Sequence, residues 1–580
     1  MFDLLLSLLI LLPFGILGLK ESRLPEVPGV VTACLAILSI PIGVLMAHQE
    51  VLWTSWNSRF LWACGLILCL FMARPEKTSP FHWLQSLQGL GIYAALVVGS
   101  VIPVAFPYLT NELIERGAPF SNSNNDLAIY IISGDNFQHR GFAELGRVVS
   151  YQAGAMANFE VAGAASWVAW ISRFTGLPVW RSTNIAMLLI VAITTILLYR
   201  IALLFLSSRV IALCSALLAI WLPFSRLAQQ NYFLSQAISR LCLVLAVYGI
   251  ILIWKRQKIV ARAVFIATVT SLVTYPAGSV SALLVLLGVA VALILSELIT
   301  TRQIKDQLHS VVYFSLSLLL GIVVVQGRWT VIWGNIKVYS KPGVTGWSMS
   351  TRDASTWFGI PHAGQGLQFR IVAVLLLAVL VVGCLYLTVR SLRSNSGELS
   401  AVLILSVLVF AYLALSIKIG SSTYQSWKFL VTAQPLICLF GLIPLYQVTK
   451  VINERFTKYS KLTVGAGLLL MTYLLSYNGY QSRLMYQDNY QVPTMELEQA
   501  AKSDVLRQHP NLLVQLDPYL ETMIAPVILN IHDAFYATDT YIGAATGNDA
   551  LCTVKRKTGS PNEISVSPNL VITPAMACRK

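Results

Sequence analysis

The chain has 580 residues, 56% of them hydrophobic and only 12% charged, with mean hydropathy +0.68. A soluble protein carries about 25% charged residues, so a soluble multidomain protein is excluded. The net charge of +15 would suit nucleic acid in a soluble chain. Here much of the basic excess lies in short loops between apolar segments, where it sets membrane topology. The composition describes an integral membrane protein, with membrane lipid and no nucleic acid among its partners.

A spanning helix needs about 20 apolar residues, with a lower limit near 17. In chain order the expected spans are Phe2–Leu19, Gly29–Ala47, Phe60–Met72, Leu90–Leu109, Thr183–Leu206, Val210–Phe224 and Ala237–Trp254. Ala263–Thr274, Ser279–Leu298, Val311–Val325, Ile371–Val389, Ala401–Ile417, Phe429–Gln447 and Leu462–Tyr477 follow, about fourteen in all. Phe60–Met72 and Ala263–Thr274 are the shortest. Alternate loops carry Lys20/Arg23, Arg74/Lys77, Arg209, Lys255/Arg256/Lys258/Arg262, Arg302/Lys305, Arg390/Arg393 and Lys450/Arg455/Lys458/Lys461. The positive-inside rule places these loops in the cytoplasm and both chain ends outside. Met1–Phe2–Asp3 offers no basic start, so residues 1–19 are expected to remain as a span and not to be cleaved as a signal.

The expected fold is an all-α polytopic membrane domain over residues 1–477, followed by a small α/β extracytoplasmic domain over 478–580. Two long outside loops, 110–182 and 326–370, interrupt the membrane domain. In the tail, helices are expected at Met495–Arg507 and Tyr519–Leu529, and an apolar run at Asn511–Leu516. Strand-like pieces are expected at Tyr541–Ala545, Leu551–Lys555 and Asn569–Thr573. Seven of the nine cysteines fall in or beside spans, where a thiol acts as a small hydrophobe. Cys552 and Cys578 lie in the tail, where an oxidising compartment favours a disulfide between them; two unpaired thiols are the alternative.

The first outside loop carries the main chemical signal. Asn125 and Asp126 suit a helix N-cap and first turn, where a carboxylate accepts backbone N–H bonds and faces the positive dipole end. The helix is expected to end near Arg140–Gly141 and to lie amphipathically along the membrane interface, with Trp167, Trp170 and Phe174 at the same depth. An early outside loop with an acidic residue at a helix start, Asp-x-x-x-Tyr over Asp126–Tyr130 and Gly141–Phe142 beyond, resembles the GT-C superfamily of membrane glycosyltransferases. The resemblance implies a polyprenyl-phosphate-linked sugar donor, a glycan or lipid acceptor, and Asp126 as the base that activates or orients the acceptor hydroxyl. Asn125 stands where many relatives have a second acid, which weighs against metal dependence, and three spans precede the motif where the family module starts one span before it.

Such a transfer needs one carboxylate near the acceptor and positive charge at the leaving phosphate. Asp135 is a second carboxylate candidate, its plain alternative being a solvated helix face. Lys428, with Tyr424 before it at the mouth of the thirteenth span, is the first candidate for the donor phosphate, with a snorkelling interfacial lysine as the plain alternative. Arg352, His362, His139 and Arg140 are further substrate-site candidates, and Arg226 and Arg240 are expected along a lipid groove. Tyr275–Pro276 is assigned to structure alone. There is no zinc spacing, Walker A loop, dinucleotide fingerprint or Gly-x-Ser-x-Gly elbow, so no nucleotide cofactor is implied, and the transfer is expected to be metal-independent or weakly dependent on a divalent metal. A lipid-linked oligosaccharide flippase is the main alternative, but the spans contain few ionisable groups and no paired repeat. Arg328, Arg352 and Arg370 keep an O-antigen-type polymerase or ligase as another. The location expected on these grounds is a bacterial inner membrane.

Overall fold

The computed structural model describes residues 27–72, 82–105, 118–120, 126–139, 162–255, 260–300, 305–325, 367–394, 398–418, 423–455, 472–478, 490–492, 494–508 and 552–574, with shorter pieces elsewhere. Its helices, in order, are α1 (Val27–His48), α2 (Ser55–Met72), α3 (His82–Ala105), α4 (Asp126–His139) and α5 (Ala162–Thr175). Next come α6 (Val179–Phe205), α7 (Arg209–Trp221), α8 (Pro223–Gln230), α9 (Leu234–Trp254) and α10 (Ala261–Thr274). The membrane part continues with α11 (Pro276–Thr300), α12 (Lys305–Val325), α13 (Leu367–Ser394), α14 (Glu398–Lys418) and α15 (Thr423–Arg455).

The second to thirteenth expected spans each overlap a helix, the sixth being divided between α7 and α8. Among the described residues, α6, α9, Ala282–Ile299 and Lys428–Val451 are long and apolar enough to cross a bilayer singly, and α7 with α8 makes a fifth if counted together. This is an integral membrane protein. The expected span Val210–Phe224 is not continuous: the chain breaks at Leu222 and α8 leaves α7 at 60°. Pro223 opens α8, where its missing N–H costs nothing.

Burial sorts the helices into a centre and a rim. All of α9 from Leu234 to Ile253 is buried. By contrast, α11 exposes Leu284, Leu287, Val291 and Leu295, and α13 exposes Val374, Leu375, Val381, Val382 and Leu385. So continuous an apolar face is stable against lipid tails and not against water. Threonine hydroxyls inside the helices are satisfied locally at Thr194, Thr195, Thr268, Thr270 and Thr274, each donating to the carbonyl four residues earlier. That is what a low-dielectric surrounding demands of a polar side chain.

The tail contains a five-stranded sheet in the order β4–β3–β5–β7–β6. Its strands are β3 (Leu512–Val514), β4 (Phe535–Tyr536), β5 (Cys552–Arg556), β6 (Ile564–Ser565) and β7 (Leu570–Pro574). β3 lies parallel to β4 and β5; β7 lies antiparallel to β5 and β6. The single helix expected over Met495–Arg507 is two, α16 (Thr494–Ala500) and α17 (Asp504–Arg507), because Ser503 is extended and interrupts the run. Arg556 anchors α16 to the sheet through Glu496, 2.9 Å away. A pairing that the sequence did not announce joins the tail to the first loop: β1 (Ala118–Phe120) runs antiparallel to β2 (Tyr490–Val492), six residues before Asp126. The strand expected at Tyr541–Ala545 lies outside the described residues, as does most of the 326–370 loop.

Candidate functional site

Asp126 opens α4 as its one acidic first-turn residue and is half-buried, while eleven of the helix's residues, from Leu127 to Gln138, are buried. The expected amphipathic surface helix is therefore corrected. Protein covers most of α4 because α5 and α6 pack against it and the α1–α2 loop closes its far end, where Trp53 N–H donates to the Phe137 carbonyl at 3.2 Å. Trp167 and Trp170 are likewise buried. Trp170 Nε1 donates to the Ser58 carbonyl at 3.2 Å, and Trp53 Nε1 donates to Ser166 Oγ at 3.2 Å, which in turn donates to the Ser39 carbonyl. Indole rings with their N–H satisfied this way fill a core without a desolvation penalty.

α4 and α5 run side by side in the same direction. A Cβ on Gly134 would stand 3.4 Å from the Ala165 carbonyl oxygen, and one turn on Gln138 reaches the Ala169 carbonyl. Asp126 lies eight residues before Gly134, about 12 Å along the axis, while α5 begins only three residues before Ala165. The carboxylate thus extends beyond the start of α5. At that same start, Gly163 abuts the backbone of Thr274, the last residue of α10.

The next residue, Tyr275, holds Lys428: its ring lies under Nζ at 4.7 Å from the centroid, and Lys428 is only 6% exposed. The lysine is not a free snorkelling cation; it is fixed over an aromatic face, an interaction worth about 0.5–2 kcal/mol. Tyr275, assigned above to structure alone, is the residue missed by sequence reasoning. Its one signal is an aromatic ring at a tight interhelical turn. Asp126 and Lys428 consequently share one end of the bundle, with the α5–Thr274–Tyr275 contact between them.

The other expected residues divide by position. Asp135 lies nine residues along α4 from Asp126, about 13 Å, so the two carboxylates do not converge. Instead Asp135 pairs with His139, whose Nδ1 lies 3.0 Å from its carbonyl oxygen and 3.6 Å from its carboxylate. Tyr424 falls within α15. Arg140, Arg352, His362 and Cys578 lie outside the described residues, and Cys552 begins β5. Among the described residues no cluster of three or more His, Cys, Asp or Glu could hold a metal.

The lipid groove expected at Arg226 and Arg240 is corrected. Arg226, on α8, is 6% exposed and Arg240, on α9, is 0% exposed. Arg226 Nη1 donates to the Asn478 carbonyl at 2.7 Å and Arg240 Nη1 to the Ser225 carbonyl at 3.3 Å. Gln434, six residues beyond Lys428, caps α8 by accepting from Phe224 N at 3.1 Å and Ser225 N at 3.2 Å.

No family model matches the chain, and no curated protein matches it. Among solved structures, a crystal structure of ArnT from Cupriavidus metallidurans bound to undecaprenyl phosphate is similar at 12% identity, over 86% of this chain and 99% of that one, with a TM-score of 0.44. Likeness at that level assigns neither family nor activity to this chain.

Proposed function

We propose that the protein is a GT-C-type membrane glycosyltransferase that moves a sugar from a polyprenyl-phosphate donor to an acceptor hydroxyl on the extracytoplasmic face, in cell-envelope glycan or glycolipid assembly. The acceptor oxygen attacks the anomeric carbon as the bond from that carbon to the phosphate oxygen breaks. The hydroxyl proton passes to Asp126 and the polyprenyl phosphate departs, giving inversion. Lys428, held over Tyr275, meets the negative charge that grows on the leaving phosphate; Tyr424 and Arg352 are assigned to the same phosphate.

The observation that carries this reading is the position of Asp126: a half-buried carboxylate at the tip of an otherwise buried helix, at the bundle end where Lys428 is also fixed. A structural capping acid has no need of a cation at that end; a transferase does. Asp126→Asn keeps size and hydrogen bonding but cannot take the proton. Transfer from a polyprenyl-phosphate sugar should fall about 10²–10⁴-fold with the melting temperature retained. Wild-type turnover in that variant would remove the base. Lys428→Ala should weaken donor binding more than it lowers stability, and unchanged donor affinity would reject its role.

A further inference from the structure

Three irregularities coincide where α7, α8 and α9 meet. The α7–α8 helix breaks by 60° at Leu222. Tyr232, in the turn between α8 and α9, has φ +53°, a left-handed conformation that is uncommon for an aromatic residue. Beneath that turn Arg240 is wholly buried, with Nε and Nη2 lacking any hydrogen-bond partner. Strain and unsatisfied charge in one place are what a site leaves behind when its ligand is part of the design.

The geometry of the unpaired atoms names the ligand. With Nη1 committed to the Ser225 carbonyl, the free atoms Nε and Nη2 form the guanidinium edge whose two parallel N–H groups grip two oxygens of one oxyanion. The hydroxyls of Ser225 on α8 and of Ser239, which precedes Arg240 in α9, are buried and also unpaired. Donors spread over two helices suit a tetrahedral phosphate better than a planar carboxylate. The amide oxygens of Gln229 and Gln236 are unpaired as well, each one helical turn from Ser225 and Arg240 respectively. They offer acceptors to hydroxyls beside such a phosphate. Arg240 is six residues, about 9 Å, into α9 from the end opposite Lys255.

We infer that Arg240, with Ser225 and Ser239, forms a phosphate-binding site separate from Lys428, filled when α8 lifts from α9 about the Leu222 break and the Tyr232 turn. The site is independent of the role given to Lys428. The test is made on full-length protein carrying Lys428→Ala, so that only this site answers. Thermal unfolding is followed in nanodiscs of phosphatidylcholine alone, with added inorganic phosphate, or with phosphatidic acid as the lipid phosphomonoester.

The expected result is a rise in melting temperature with phosphatidic acid that disappears when Arg240→Met is added. Methionine should at the same time stabilise the phosphate-free protein, because it removes a buried unpaired charge. A rise with inorganic phosphate alone, also abolished by Arg240→Met, keeps the site and makes its source soluble. An equal rise in the Arg240→Met protein, or none in either, overturns the inference. If Arg240→Met does not fold, Ser239→Ala decides: a loss of apparent phosphate affinity of about tenfold supports the site, and unchanged affinity rejects it.

Discussion

Substituting Gly163 by alanine tests the contact that relates Asp126 to Lys428. A Cβ at Gly163 would stand 2.3 Å from Thr274 Cα and 2.8 Å from Thr274 N. Carbon atoms pack at about 3.5–4.0 Å, so α5 and α10 must part by about 1.2 Å, the difference between 3.5 and 2.3 Å. Two of the three obstructing atoms are backbone, with no rotamer to yield; the third is Thr274 Cγ2. Overpacking of this kind costs about 1–3 kcal/mol, while alanine returns about 0.5–1 kcal/mol over glycine inside a helix. The net expectation is a loss of roughly 0.5–2 kcal/mol.

Activity should suffer more than stability. Parting α5 from Thr274 shifts Tyr275, and with it Lys428, relative to Asp126 by about 1 Å, enough to cost about 10²-fold in turnover. The assay pairs thermal unfolding of purified protein with the transfer rate at a temperature where the variant is fully folded. Gly91→Ala on α3 is the control, since a Cβ there meets nothing within 4 Å; it should be neutral or stabilising. A Gly163→Ala protein as stable and as active as Gly91→Ala would show that this helix contact positions nothing.

Gln434→Leu keeps the volume but leaves the N–H groups of Phe224 and Ser225 buried without their acceptor. It should destabilise by about 1–3 kcal/mol for each N–H that finds no substitute, read as a lower melting temperature, and an unchanged one would refute the cap. In the tail, the Thr558 hydroxyl first, then the backbone N–H groups of Thr558 and Gly559 and the Lys555 ammonium, hold the Glu563 carboxyl below the usual glutamate range. A depressed carboxyl contributes stability above the unfolded value of about 4.3 and loses it as pH falls through the lower folded value. Hydrogen exchange at Thr558 and Gly559, corrected for intrinsic rates, should therefore accelerate on acidification below about pH 4, and Glu563→Gln should lack that step. Protection that is equally acid-sensitive in both proteins would argue against it.

The helical, membrane-embedded character was legible because hydropathy is a sum over neighbours in sequence. Each apolar run from Gly29–Ala47 to Phe429–Gln447 needs no distant partner to prefer a helix in lipid. Asp126 was legible for the same reason: capping is decided within four residues, and α4 starts on it. What surrounds α4 was not legible, since the buried bonds of Ser166 and Trp170 are made with Trp53, Ser39 and Ser58, more than a hundred residues away in the chain. The tertiary structure alone set Lys428 on Tyr275, paired residues 118–120 with 490–492, and joined Arg226 to Asn478 and Arg240 to Ser225. Each is a contact between segments whose local sequence is satisfied without it. Local composition chooses the elements; only packing chooses which charges meet water, lipid or one another.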